Sequence, residues 1–318
     1  MTASSSDGDP RLRCIPCGAV GLVAVAEQVD RRKGLPGRWH LFECRGCGAI
    51  SIAPLPSTDE LSAYYASYSS DRHVELSRGA GSRFPRLRKI FHAISGDVDP
   101  RDFIEVSEGV RVLDYGCGHA GYLIDFQARG VRMSGAEIAP YVVEACKAQG
   151  FDVRKVDDSS RIPFLDGEFD VAYLMQVFEH LRDPHGFLRE LNRVLKPGGL
   201  LYLALPNKNS VWRRIFGKNW ISGWFAPFHL FLHDKKSLET LAKQYGFATA
   251  ASWSRTPEFW FRMNLKAALY PEEDRLDLRS SWLDVRLVRY ALMILLRILE
   301  LPVRERDCLI MRLAKRGQ

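Results

Sequence analysis

Nowhere in its 318 residues does the chain carry the ~18 uncharged apolar residues in a row that a membrane-spanning helix needs, which argues against helical channels and transporters. Its opening, MTASSSDGDP, lacks the basic start and apolar stretch of a secretion signal. That absence predicts a disordered tail over residues 1–10 and a cytoplasmic protein. Internal repeats and low-complexity tracts are missing as well. Charge of one sign is in only modest excess: 45 basic and 38 acidic residues leave +7, which is compatible with nucleic acid, an anionic membrane surface or an anionic substrate and selects none of them. Cysteine is scarce and odd in number, seven, and four of these form two C-x-x-C pairs; without an export signal this favours metal binding over disulfides.

What is present is an ordinary globular composition, 46% hydrophobic, in a chain long enough for one large core and a small module. Residues 11–56 surround the cysteine pairs with short alternating segments. Residues 57–108 read as a helical linker or lid: STDELSAYYASY opens on Ser57 with Glu60 three residues later, a capping pattern, and RFPRLRKIFHAI is basic and amphipathic. From residue 109 to the end, strands alternate with helices. VRVLDYG, VRMSGAEI, FDVRKVD, FDVAYLMQ and GLLYLALPN are strand patterns; HAGYLIDFQARG, PYVVEACKAQG and PHGFLRELNRVLKPGG are the helices between them. KKSLETLAKQYGF continues as helix, and ATAASWS and RDCLIMRLAKR as strands. This spacing predicts an α/β fold with a doubly wound, mostly parallel sheet, interrupted by an aromatic insertion at 207–236 and a helical one at 257–303.

The stretch RVLDYGCGHAGYLI holds G-x-G-x-x-G at Gly116, Gly118 and Gly121, at the carboxyl end of a strand where ligands bind in open parallel sheets. A dinucleotide pyrophosphate would want only N–H groups there, yet Asp114 stands two residues before the first glycine. A carboxylate at that place suits a cation, and S-adenosylmethionine carries an ammonium and a sulfonium without phosphate.

LDYGCGHAG resembles the first motif of class I S-adenosylmethionine-dependent methyltransferases, and later segments resemble further motifs of that family in the same order. The resemblance covers residues 109–206 and, more loosely, 229–256. It implies a Rossmann-like sheet of seven strands, with RDCLIMRLAK as a last, antiparallel strand. It also implies that Glu137, followed by Ile138 in SGAEIAP, binds the ribose hydroxyls, and that Asp158 in DDSSRIPF meets the adenine amino group. Met175 and Gln176, at the end of the fourth strand, then lie beside the cofactor. One position departs from the pattern: Ala120 stands where the family has a third glycine.

Cys14-x-x-Cys17 and Cys44-x-x-Cys47 are separated by 26 residues (18 to 43), and each is followed by a glycine, Gly18 and Gly48, as a zinc knuckle prefers. Four thiolates complete a tetrahedral zinc and leave no open position, so a structural zinc ribbon is expected. A four-cysteine module ahead of this domain resembles bacterial methyltransferases of small molecules and cell-surface glycans.

Six of the seven tryptophans follow residue 205, with many phenylalanines among them. That density predicts either a packed lid or a wall for an apolar or sugar-bearing acceptor. His180 and His229 are candidates for the base that takes the acceptor's proton, with Glu179 a group that orients His180 or binds a cation. In LDVRLVRYALMILLRILEL, residues 283–301, helical projection gathers Arg286, Arg289, Arg297 and Glu300 in an arc of roughly 80° and leaves the rest apolar, as for a core helix, a homodimer seam or an interfacial membrane helix. The expected function is O-methylation of a small-molecule, glycan or lipid-linked acceptor. The competing readings are an rRNA or tRNA base methyltransferase using the zinc module, disfavoured because the aromatic residues lie elsewhere, and a non-catalytic scaffold that binds S-adenosylmethionine.

Overall fold

The computed structural model describes residues 13–69, 85–118, 120–157, 161–273, 275–276 and 280–317. The expected tail over 1–10 lies outside them. Near the N-terminus, β1 (Leu22–Gln28), β2 (Trp39–Cys44) and β3 (Ile50–Ala53) form an antiparallel meander. Three helices follow: α1 (Thr58–Ser69), α2 (Pro85–Ser95) and the single turn α3 (Pro100–Phe103). Ser57 and Glu60 close the expected cap on α1: the Glu60 carboxylate accepts from Ser57 N at 2.7 Å and Ser57 Oγ from Glu60 N at 3.2 Å.

The main body alternates as the sequence predicts: β4 (Arg111–Tyr115), α4 (Gly121–Gln127), β5 (Arg132–Glu137), α5 (Pro140–Ala148), β6 (Asp152–Lys155), β7 (Phe169–Met175), α6 (Pro184–Val194) and β8 (Leu195–Pro206). Beyond these come α7 (Val211–Phe216), α8 (Ile221–Trp224), β9 (Phe231–Leu232), α9 (Lys235–Lys243), β10 (Phe247–Arg255), α10 (Glu258–Leu269), α11 (Arg286–Leu299) and β11 (Cys308–Lys315). Seven strands make one sheet in the order β10-β11-β8-β7-β4-β5-β6; only β11 runs antiparallel to its neighbours. The strand order reverses at β4, so the carboxyl ends of β4, β5 and β7 form the crevice where such sheets bind ligands.

Both faces of the sheet are covered, which is why its strands are apolar on both sides. Leu113, Leu174 and Leu203 face one core with Phe187 and Leu191, while their neighbours Val112, Tyr173 and Tyr202 face the other with Leu123, Phe126 and Val143. One boundary differs from the sequence reading: α6 stops at Val194, and LKPGG belongs to β8, where the pairing with β7 slips between Phe169 and Val171.

Two further expectations change. Trp212, Trp220, Trp224, Phe228 and Phe231 are buried, and the three tryptophans share a core cluster with Leu41 and Ile50 of the N-terminal meander. They join that meander to the domain, rather than walling an acceptor; β9 extends its sheet by pairing with β3. In α11 the polar arc is split: Arg297 and Glu300 turn toward the protein, while Arg286 and Arg289 are exposed. Glu300 is buried, Arg297 Nη2 donates to Thr256 O at 2.6 Å, and Arg289 lies 3.5 Å from Glu258, whereas Leu287, Ile294, Leu295, Ile298 and Leu299 are exposed. Helix α2, packed beside α11, is turned the same way. Leu87, Ile90, Phe91 and Ile94 face out, while Arg88 and His92 face in onto Asp102 at 3.2 and 2.6 Å.

Candidate functional site

The turn after β4 is left-handed at Gly116 (φ 78°) and Gly118 (φ 47°), and Ala120 follows at φ 55°, the start of α4. A side-chain carbon at Gly116 would meet Val177 Cγ2 at 2.5 Å, so only glycine fits; over Gly118 no atom lies within 4 Å. Glu137, ending β5, ties the loop down. Its carboxylate accepts from Gly118 N at 2.9 Å, Ile138 N at 2.8 Å and Ala139 N at 3.0 Å.

A cavity of about 290 Å³ opens at these strand ends, lined by Gly116, Glu137 and Ile138 together with Asp157, Gln176 and His180. Leu61 and Ser62 of α1 close it from above. Of the expected cofactor residues, Gly116, Glu137, Ile138 and Gln176 converge here, with Gly118 one hydrogen bond away. Asp114 is buried behind the wall, where Tyr173 Oη donates to it at 2.7 Å, and burial together with the nearby Glu137 pushes its pKa up to about 7. Met175 packs into the core beside the cavity rather than lining it. Asp158 lies outside the described residues. The sequence reading did not single out Asp157 or the α1 pair as site residues; the capped start of α1 was legible, but nothing local shows where a helix docks.

Gln176 holds a left-handed backbone (φ 57°), unusual for its side chain, with its N–H on Ala204 O at 2.8 Å and its amide on Cys308 Sγ at 3.3 Å. It also lines a second, more open cavity of about 360 Å³, bounded by His92, Asp97, Asp99, Tyr122, Phe259 and Trp260. The two spaces thus meet at one strained residue.

His180 and His229 stand side by side, ring centres 4.9 Å apart. His180 Nδ1 donates to Phe228 O at 2.8 Å and His229 Nδ1 to Gly223 O at 2.7 Å. Burial holds both rings neutral: the pKa of His180 falls to about 4 and that of His229 well below its ordinary value. His180 lines the first cavity; His229 lies behind it, and the fully buried Glu179 lies 3.9 Å from His229 Nε2.

The four thiols of the N-terminal pairs lie within 4.8 Å of one another, Cys14 with Cys47 at 3.6 Å and Cys17 with Cys44 at 3.5 Å. The two knuckles repeat one geometry. Gly18 N bonds Cys14 O at 2.6 Å, Gly48 N bonds Cys44 O at 2.8 Å, and both glycines are left-handed. A tetrahedral zinc with bonds of about 2.3 Å sets its sulfurs roughly 3.8 Å apart, so the donor set and spacing fit that ion, and a disulfide would need about 2 Å.

The methyltransferase domain family model matches residues 80–252, more than half of the chain. Over 125 residues the chain is 35% identical to a ubiquinone biosynthesis O-methyltransferase of Cereibacter sphaeroides, covering 37% of this chain and 50% of that protein. It is 34% identical over 103 residues to the sterol 4-C-methyltransferase strm-1 of Caenorhabditis elegans, covering 30% of this chain and 31% of that one. These matches span half or less of the curated relatives' length. A solved SAM-dependent methyltransferase from Archaeoglobus fulgidus superposes with a TM-score of 0.44 at 18% identity, over 80% of this chain and 99% of that one.

Proposed function

The chain belongs to the methyltransferase domain family, and we propose that it transfers the methyl group of S-adenosylmethionine to an oxygen of a hydrophobic or lipid-linked acceptor at an anionic membrane surface. In this reading the ribose hydroxyls sit on the Glu137 carboxylate, the adenine beside Ile138 and Asp157, and the methionine end over Gly116 and Gly118. The four-cysteine site holds a structural zinc that fixes the N-terminal meander.

The observation that carries the acceptor side is the pair of cavities meeting at Gln176. The second is walled by His92 of α2 and by Phe259 and Trp260 of α10, next to the outward apolar faces of α2 and α11. Neither helix contains an acid; Arg86, Lys89 and Arg286 are exposed on them. A second copy docked face to face would bring these cations together, whereas anionic headgroups would complement them while the leucines and isoleucines enter the lipid boundary. This favours a membrane surface over a homodimer. None of the described helices is long and apolar enough to cross a bilayer, so contact would be peripheral. Burial of Trp212, Trp220 and Trp224 removes the densest aromatic stretch from the surfaces on which an RNA substrate would stack.

Methyl transfer is an in-line displacement. The acceptor oxygen forms the new O–C bond as the C–S bond breaks, its electron pair returns to sulfur, and the acceptor's proton leaves. His180, at the cavity wall with its Nδ1–H fixed on Phe228 O, presents Nε2 as the acceptor nitrogen, although its lowered pKa makes it a weak base alone.

The test is sedimentation with anionic vesicles at low and high salt, alongside calorimetry with S-adenosylmethionine. Binding that weakens with salt without vanishing, and is lost in Ile90→Asp and Leu295→Arg with cofactor affinity unchanged, is the expected result. Wild-type protein that stays in the supernatant at both salts, and dissociates from a dimer on Leu295→Arg, overturns the membrane reading. Absence of cofactor binding overturns the enzyme reading.

A further inference from the structure

One buried group is left without any role in the chemistry above. Glu179 is 0% exposed, and among the described residues no other residue gives its carboxylate oxygens a hydrogen bond. Among the described residues no lysine or arginine pairs with it; its one ionic neighbour is His229, at 3.9 Å. An ionised carboxylate sealed away from water in this manner is costly unless a cation or donors compensate it. The groups nearest to it are two imidazoles, and both are arranged as ligands rather than as donors. Each directs its Nδ1–H to a backbone carbonyl, His180 to Phe228 O and His229 to Gly223 O, which fixes the tautomer that puts a lone pair on Nε2. A carbonyl on the far nitrogen is the usual outer support of a metal-bound histidine. One ligand atom from each of the three side chains lies within 4.8 Å of the others.

We propose that Glu179, His180 and His229 bind a divalent first-row transition metal ion, with an open coordination position toward the cofactor cavity. Two imidazoles and a carboxylate are a donor set that suits zinc, manganese or iron, and three protein ligands leave room for water or substrate, unlike the closed four-thiolate site. The direction of the opening follows from His180, which belongs to the cavity wall, while Glu179 and His229 stand behind it. The ligands come from two places that only the fold brings together: the turn 178–180 after β7, and the segment after α8 that runs past its carbonyl, with Leu230 N bonded to Glu179 O at 2.8 Å.

With its Nε2 on the ion, His180 would act as a ligand in place of a base, and the ion would activate the acceptor instead. An acceptor hydroxyl bound to the ion gives up its proton to water more readily, because the positive charge stabilises the oxyanion. That oxygen's electron pair then forms the O–C bond while the C–S pair returns to sulfur, leaving a neutral thioether. This use in catalysis rests on the methyl-transfer reading above; the ion's binding does not.

The full chain, equilibrated with Mn²⁺ or Zn²⁺ and desalted, is assayed for metal by mass spectrometry. Wild type should retain one ion beyond that held by the cysteines. Glu179→Gln and His229→Gln should lose it and keep the cysteine-bound ion; Cys44→Ser should do the reverse. Glu179→Gln is near-isosteric, so if His229→Gln fails to fold the first variant still decides. Equal metal content in wild type and Glu179→Gln overturns the proposal. Calorimetry with S-adenosylmethionine on the same samples separates the two readings: a bound cofactor without a second ion sinks the site alone, and an ion without cofactor sinks the methyl-transfer reading alone.

Discussion

Glu137 and Glu179 stand at the carboxyl ends of neighbouring parts of one sheet, both nearly sealed from solvent, and the fold treats them in opposite ways. Glu137 receives three backbone N–H groups, from Gly118, Ile138 and Ala139. Glu179 receives none from any other described residue. A carboxylate saturated by its own backbone serves as a fixed part of the wall, and its remaining lone pairs can take ribose hydroxyls at little further cost. One left bare in the interior waits for a partner from outside the chain. Asp114 falls between them, with one donor, Tyr173 Oη at 2.7 Å, and a pKa raised to about 7. Three carboxylates at this end of the sheet thus accept from three, one and no other described residues, and burial without donors favours the neutral acid, pushing Glu179 up to about 8, unless a cation binds it.

The contrast breaks most severely where the two acids are joined. Gly116 packs on Val177, the residue that leads into the 178–180 turn, with no room for another carbon. Gly116→Ala should cost about 2–3 kcal/mol of stability, from the left-handed backbone and the clash together. Adding Val177→Ala should recover part of it in thermal unfolding; no recovery would mean the clash is not the cause. Gly118→Ala, with clear space above it, should cost only about 1 kcal/mol in stability but should obstruct the cofactor.

Next in size is Glu137→Ala, which strands three N–H groups and removes the ribose acceptor. Cofactor affinity should fall by about 1–3 kcal/mol, read by calorimetry. Glu179→Gln, by contrast, should leave cofactor affinity within about twofold, since no donor is lost; a large drop there would erase the distinction between the two acids.

The smallest effect is the pH dependence of Asp114. Its folded-state pKa, about 7, lies above the ordinary 3.8, so the stability it contributes is complete below about pH 4 and is lost as pH rises through about 7. A cationic ligand reverses the preference and favours the ionised form. S-adenosylmethionine should therefore bind up to roughly tenfold better at about pH 8 than at about pH 6, relative to its neutral thioether product, and Asp114→Asn should flatten that slope. A flat profile in wild type would show that the sulfonium does not sense this acid.

Local pattern was enough for the scaffold. Alternating apolar segments, Pro140 and Pro184 at helix starts, and glycines where the backbone turns left-handed all act within a few residues, so strand order apart, the sheet's elements were legible. The two cysteine knuckles were legible for the same reason, since a C-x-x-C-G turn is a short-range object. The glycine loop followed from its place at a strand end, and Glu137 from the family resemblance.

What periodicity leaves open is which side of an element the rest of the protein covers. The pattern of α2 read as basic and amphipathic without saying which face is covered; Arg88 and His92 meet Asp102, and the apolar stripe is turned outward. Trp212, Trp220 and Trp224 read as lid or acceptor wall until the N-terminal meander packed on them. Glu179 and His229 lie 50 positions apart and say nothing of each other in sequence. The residues themselves determined the strands, helices, knuckles and glycine turns, because those depend on local sterics and spacing; the cavity's roof, the outward faces and the convergence of a bare carboxylate with two imidazoles were decided by long-range packing, which no window of neighbouring residues contains.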